Sequence, residues 1–175
     1  MYSIQSYKKE YLRQVETIAE LQFGKGYISC DDWFDKDRII LVAVKDEKVL
    51  GFCIAVILEY KNLAHIELQS VLTDSPVGMI KSLAVQPGQI RKGVGAKLLE
   101  AILRLLVEKG VSQFYTEAWR DRKGTRIEKI VLKNNFTKLI EKEDYWYSDS
   151  LKRNYQCSVC GQPCRCNAVV YYRRE

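Results

Sequence analysis

Three groups of residues in this chain have types and spacings suited to chemistry. The first is the turn Ile90-Arg91-Lys92-Gly93-Val94-Gly95-Ala96, which follows an apolar run and opens a long amphipathic one. A turn at a helix start aims several backbone N–H groups at one spot, and the helix dipole adds partial positive charge there. Arg91 to Ala96 therefore form a candidate phosphate cradle that needs no dedicated side chain. Gly93 and Gly95 let a bulky anion approach the backbone, and Arg91 and Lys92 add charge at the rim. The second group centres on Glu117, the only acid in residues 113–119, with Tyr115 and Trp119 on its own face of a strand. A carboxylate between rings loses solvation, which strengthens it as a base. The third group is Cys157-x-x-Cys160-Gly-x-x-Cys164-x-Cys166. The first pair, with Gly161 in its tight turn, has the form of a zinc knuckle, and the second pair could close a tetrahedral four-sulfur site. Zinc ranks ahead of iron, because the established iron–sulfur spacing is missing. A reduced or disulfide-paired turn is the alternative. Four protein ligands leave no open position, so such a zinc would be structural, stapling a strand ending near Tyr155 to one starting near Ala168.

Hydropathy places the elements that must hold these groups. Residues 2–7 alternate weakly as a first strand, and residues 9–21 carry Leu12, Val15, Ile18 and Ala19 at helical spacing. Residues 30–37 form an acidic and aromatic stretch, a short helix or loop. Two apolar runs, residues 38–45 and 49–58, flank Asp46-Glu47-Lys48 as an antiparallel hairpin. Residues 61–77 form a long connection in which His65, the only histidine, is read as a loop or surface residue. Residues 79–85 are the central strand. Residues 93–109 form a helix with Val94, Leu98, Ala101, Ile102, Leu105 and Leu106 on one face. A strand over residues 113–119 follows. Thr125 and Glu128 then make a capping box for a helix through Leu132, closed at Asn134-Asn135. Residues 137–148 and 168–173 are late strands.

The strand, glycine turn and helix of residues 79–110 resemble the pyrophosphate-binding core of the GNAT superfamily of N-acetyltransferases. The turn there runs Gln/Arg-x-x-Gly-x-Gly/Ala. Gly93 and Gly95 match, Ile90 stands at the first position, and the order of elements follows the family to about Asp149. The resemblance implies an α/β (α+β) fold whose mixed, mostly antiparallel central sheet is splayed between strands 4 and 5, with helices on both faces. It places the splay between Leu83-Ala84-Val85 and Tyr115-Thr116-Glu117. Acetyl-CoA would enter there like an extra strand, its pantetheine arm along Leu83, Ala84 and Val85. Its pyrophosphate would lie on Arg91, Lys92, Gly93, Val94, Gly95 and Ala96. The implied reaction is transfer of an acetyl group to a primary amine by direct attack.

Attack on a thioester needs the neutral amine, so a base must take its proton. Glu117 is the candidate, as in members whose fifth strand carries a catalytic Glu. Many members supply the acid from a Tyr five residues before the Phe of a Gly-Phe pair. Here that position is Val131, counted from Phe136. The acid must then come from elsewhere or be dispensable. Tyr145 and Tyr147, on a late strand, either reach the cleft or pack as an aromatic face, and Tyr147 is the candidate acid. Ile90 and Val131 favour a GNAT-like protein that binds acyl-CoA without catalysis, and Glu117 disfavours it. A nucleic-acid-binding module using the basic cysteine-rich tail ranks third, since few aromatic stacking positions interleave with the charges.

Composition sets the remaining bounds. With 175 residues, 47% apolar and 29% charged, the chain has the make-up of one soluble domain over residues 1–175, carrying a cysteine-rich C-terminal appendage at about 151–175. No apolar run reaches a membrane span of roughly 18 residues. The N-terminus lacks a signal-peptide layout, which makes the cytoplasm the expected compartment. A net charge of +6 favours anionic ligands, and the CoA phosphates account for some of it. Cys53 sits in an apolar strand as a small buried residue, and Cys30 lies beside Asp31 and Asp32, which disfavour a thiolate. The acceptor, a small molecule or a protein amine, is not set by the sequence. Asp31, Asp32, Asp35 and Glu59 could attract a cationic one, and a homodimer is compatible with this reading.

Overall fold

A computed structural model describes residues 1–28 and 38–175. The stretch 30–37, with Cys30, Asp31, Asp32 and Asp35, lies outside the described residues. The first half of the sheet is local in origin. Strands β2 (Arg38–Lys45) and β3 (Lys48–Leu58) join through Asp46 and Glu47, whose φ angles of 49° and 61° give the hairpin turn that matches strand twist. Strand β1 (Ser3–Ser6) adds to β2, and β4 (Val77–Val85) adds to β3, all antiparallel. Helix α1 (Leu12–Phe23) buries Val15, Ile18 and Ala19 against one face of these strands, on Val42, Phe52, Ile54 and Ala84. Helix α3 (Val94–Glu108) covers the other face with Leu98, Leu99, Ile102, Leu103 and Leu106. Burial of each such side chain contributes about 2 kcal/mol. Between β3 and β4 lies the short helix α2 (Ile66–Gln69). Its connection is tied down by Gln113, whose side chain takes the Thr73 N–H (2.9 Å) and donates to the Thr73 carbonyl (2.7 Å).

Beyond α3 come β5 (Gln113–Asp121), the two-residue β6 (Gly124–Thr125), α4 (Glu128–Lys133), β7 (Thr137–Lys142), α5 (Tyr147–Lys152) and β8 (Asn167–Arg174). The sheet runs β1-β2-β3-β4-β5-β8-β7, with β6 on the end of β5. Among the described residues only β4 and β5 are parallel, and their ladder holds three pairs: Gly78 with Phe114, Met79 with Tyr115, and Ile80 with Thr116. The fork that follows has a visible cause. Ile54 faces Ser82 and Ala55 faces Ile80, so Lys81 is an extra residue in β4. A bulge of this kind bends its strand. Meanwhile β5 stays paired with β8 from Gln113 to Arg120. Ile80 and Leu83, three residues apart, consequently both pack on the α3 side.

Several expectations change. The splay opens at Glu117, since Tyr115 and Thr116 are still paired with β4. Strand β7 stops at Lys142, and Asp144, at φ 46°, turns the chain so that Tyr147 starts a helix. No strand lies near Tyr155. The segment taken as an appendage supplies β8, which is interior to the sheet between β5 and β7. The capping box does not form: Thr125 sits in β6, Ile127 precedes α4, and Glu128 Oε1 accepts the Tyr171 hydroxyl at 2.8 Å. Among the described residues no helix is long and apolar enough to cross a membrane.

Candidate active site

The fork between β4 and β5 opens a cleft of about 750 Å³ that passes through the sheet. One side is lined by Leu83, Ala84 and Val85 of β4 and by Arg91, Gly93, Val94, Gly95 and Ala96 of the glycine turn. Residues 123–130, from β6 to α4, form the opposing wall. Past Ile80 the ladder gives β4 no partner from β5, so an extended ligand can lie along that edge. The turn carries left-handed backbone at Arg91 (φ 65°) and at Gly93 (φ 81°), which caps α3. This is the backbone signature of an anion-binding nest. Only glycine takes such a φ without strain at the cap. At Gly95 an added Cβ would meet Ile130 Cδ1 at 3.4 Å and Val85 Cγ1 at 3.7 Å, ordinary contacts. Its missing side chain leaves room in the cleft, and the protein's own packing does not require it. Lys92 is exposed and does not line the cleft.

Glu117 is the first β5 residue past the ladder and borders the cleft. Its side chain is 9% exposed, and Oε1 lies 2.8 Å from His65 Nε2. His65, read from sequence as a loop or surface residue, is buried at 1% exposure immediately before α2. The contact is a hydrogen bond from the Nε2–H to the carboxylate. The other ring nitrogen, Nδ1, is buried without a hydrogen-bond partner. The Tyr145 hydroxyl lies 3.4 Å from the same Nε2, and its ring packs 5.5 Å from the imidazole. Burial, and then the charge of Glu117, push the Tyr145 phenol well above its ordinary range. Tyr115 is pushed up in the same way. Tyr147 does not border the cleft, and its ring packs against the Arg165 guanidinium at 5.1 Å. Val131 is buried in the α3 core. Asp121 is a second acid on β5 because the strand runs past Trp119; it pairs with Arg126 at 3.5 Å. Cys53 is fully buried, and burial pushes its thiol up.

The four clustered cysteines lie with all sulfurs within 4.8 Å of one another. Three separations are 3.9 Å (157–166), 3.7 Å (160–164) and 3.6 Å (160–166). A tetrahedral zinc with bonds of about 2.3 Å has sulfur–sulfur edges of about 3.8 Å. These three separations are far longer than a disulfide of about 2.05 Å, and all four cysteines are free thiols. Cys157 and Gly161 exchange two backbone hydrogen bonds of 3.0 Å, closing the knuckle. The Val159 and Arg165 N–H groups point at Cys157 and Cys160 sulfurs at 3.4 and 3.3 Å. The hydrogen bond with Cys164 draws the Cys157 thiol down and raises that of Cys164, while burial raises Cys166 to about 12. Four sulfurs this close cannot all ionise without a cation among them, and coordination would resolve the conflict. The loop does not staple two strands. It joins α5 to β8 and rests on the end of α1, and Cys157 and Cys164 border the cleft beside Trp146 and Tyr155.

Sequence reasoning misplaced His65, named Tyr145 without its contact to His65, and missed the ring wall. The one signal available was that His65 is the chain's single histidine. The fold is shared with solved acetyltransferases. NAA60 of Arabidopsis thaliana, in complex with a bisubstrate analogue, superposes with a TM-score of 0.78 at 11% identity, covering 99% of this chain and 98% of that one. An N-acetyltransferase of Staphylococcus aureus Mu50 gives 0.69 at 16% identity, covering 99% and 98%. The IAA acetyltransferase of Bacillus cereus gives 0.69 at 15%, covering 100% of each chain. No curated protein sequence matches the chain. The model of the acetyltransferase (GNAT) family matches residues 4–126, so the chain belongs to that family and is an acyltransferase.

Proposed function

We propose that the protein moves an acetyl group from acetyl-CoA to a primary amine by direct attack, with zinc holding the cysteine loop. The observation that carries this is the fork. A three-pair ladder ends at a bulge, and the resulting cleft has an anion nest at one end and Glu117 within it. The nest suits the pyrophosphate, and the unpaired edge of β4 suits the pantetheine arm. At neutral pH the acceptor is an ammonium. Glu117 takes its proton, directly or through one water, using the oxygen that His65 leaves free. His65 acts as a positioning residue, since it holds Oε1 and does not border the cleft. The amine nitrogen bonds to the thioester carbon, the tetrahedral adduct collapses with the C–S bond breaking, and the nitrogen's second proton leaves to water, as does the proton held by Glu117. Val131 supplies no acid and Tyr145 stands outside the cleft, whereas Tyr27 and Tyr155 border it; solvent can protonate the thiolate without any of them. Holding both reactants in one cleft contributes an entropic term of roughly 7 kcal/mol in favourable cases.

Thiol release from acetyl-CoA with a panel of primary amines tests the activity. Release with none of them, alongside tight CoA binding, would leave a CoA-binding protein. Cys157, Cys160, Cys164 and Cys166 would hold one zinc per chain in a closed structural site. Elemental analysis of protein purified without chelator should find near-stoichiometric zinc, and chelation should lower the melting temperature. Metal-free protein of unchanged stability would remove zinc from the scheme.

A further inference from the structure

The cleft has two ends of different chemistry. The end away from the glycine turn is walled by the rings of Phe23, Tyr27, Trp119, Trp146 and Tyr155 around Glu117. These rings form a connected surface. Phe23 and Tyr27 centroids lie 4.9 Å apart, Phe23 and Trp119 6.4 Å, and Tyr27 and Tyr155 5.2 Å edge-on. Most of this wall is held by the cysteine loop and the residues leading into it. The carbonyls of Phe23, Lys25 and Tyr27 each accept a hydrogen bond, from Ser158 N (3.1 Å), Gln156 N (2.9 Å) and Arg153 Nη2 (2.6 Å). The fit is close enough to dictate a glycine: a Cβ on Gly24 would lie 1.8 Å from the Gln156 carbonyl oxygen. The sulfur cluster begins at the next residue, Cys157.

Charge narrows what the wall can receive. Among the described residues, those lining the ring end include one carboxylate, Glu117, with Lys81 and Arg126, and Arg126 is paired with Asp121 and stacked on Trp119. The several ammonium groups of a polyamine would share that one carboxylate. A single ammonium on a flat apolar body would meet apolar rings and the carboxylate. We infer that the cysteine loop is the acceptor wall of the cleft, that its metal fixes this subsite, and that the subsite takes a primary amine carried on an aromatic or flat apolar body. This rests on the acetyltransferase and zinc readings above.

The test uses the full zinc-loaded chain with tyramine and spermidine as probe amines. Tyramine should give a kcat/KM at least about tenfold above spermidine, and the reverse order overturns the substrate class. Zinc is then removed by chelation, and in parallel by Cys160→Ser, whose exposed side chain does not line the cleft. Amide exchange over residues 22–28 should rise about tenfold or more, while residues 94–106 keep their protection. The tyramine KM should rise, and the acetyl-CoA dissociation constant should stay within about twofold. Unmoved exchange at residues 22–28 overturns the wall. Gly24→Ala should reproduce the exchange and KM changes with zinc still bound, and decides the matter alone if metal loss unfolds the chain. Failure of every amine in a wider panel would refute the acetyltransferase reading, and the exchange measurement would still decide the wall.

Discussion

Replacing Glu117 by glutamine separates the base from the scaffold that holds it. The amide has the carboxylate's shape, and its Oε1 can still accept the His65 Nε2–H that now lies 2.8 Å from the carboxylate. The structural loss is the change from a charge-assisted to a neutral hydrogen bond, about 1 kcal/mol. In a chain of this size that lowers the melting temperature by only about 2–4 °C. The chemical loss is larger. General-base catalysis is worth about 10² to 10⁴ in rate, or roughly 3–5 kcal/mol of barrier. Initial rates of thiol release across about pH 6–9 should show kcat down by about 10² or more, with the acetyl-CoA KM within about twofold. The residual rate should climb tenfold per pH unit, because the amine must then lose its proton to solvent. A variant with the parent's rate and pH profile refutes Glu117 as the base. His65→Ala should lower kcat by a smaller factor and shift the profile, and His65→Gln, which keeps an N–H donor, should recover part of the loss.

Gly95→Ala should bind CoA and fold normally, since the added Cβ makes only ordinary contacts; Gly95→Glu should fold but lose CoA affinity, and unchanged binding would displace the phosphate site from the turn. Gln113→Ala should cost about 1–3 kcal/mol in urea unfolding, because it strips five contacts of 2.7–3.3 Å from Thr73 and Ser75; a loss under about 0.5 kcal/mol would mean that water replaces them. Burial, then the bond to Glu128, raises the Tyr171 phenol from 10.0 to about 12. The folded state therefore favours the neutral phenol: its contribution is intact below pH 10 and is lost as pH rises through 10 to 12. Tyr171→Phe should flatten the alkaline limb of stability against pH, and an unchanged limb would assign it to the other buried tyrosines.

What the sequence disclosed follows the range of the forces involved. The β2–β3 hairpin, α3 and the glycine turn depend on neighbouring residues, and each lies within two residues of its expected bounds. The bulge at Lys81 depends on pairing with β3, some 27 residues earlier in the chain, and no local pattern marks it. Glu117 stood out as the one acid between rings. Its partner His65 is 52 residues earlier, in a connection with no periodicity, where helix and strand signals are both weak. The aromatic run at Tyr145-Trp146-Tyr147 suggested a continuing strand, since rings favour pleated surfaces. The left-handed backbone at Asp144 ended that strand instead and sent Tyr145 to His65 and Tyr147 to Arg165.

The cysteine loop shows the same division within one motif. Its cysteine spacing is a sequence property, and the four sulfurs lie within 4.8 Å of one another. Its docking is not, because it runs through the backbone carbonyls of Phe23, Lys25 and Tyr27, which carry no side-chain signature. Only Gly24 betrays it, as a residue that must lack a Cβ to let Gln156 approach. A closed four-sulfur site has no vacancy for chemistry, which suggests from sequence alone that losing the metal would spare turnover. The placement of Cys157 and Cys164 on the cleft argues against that independence. A metal that does no chemistry can still govern a reaction when the loop it folds is a wall of the site.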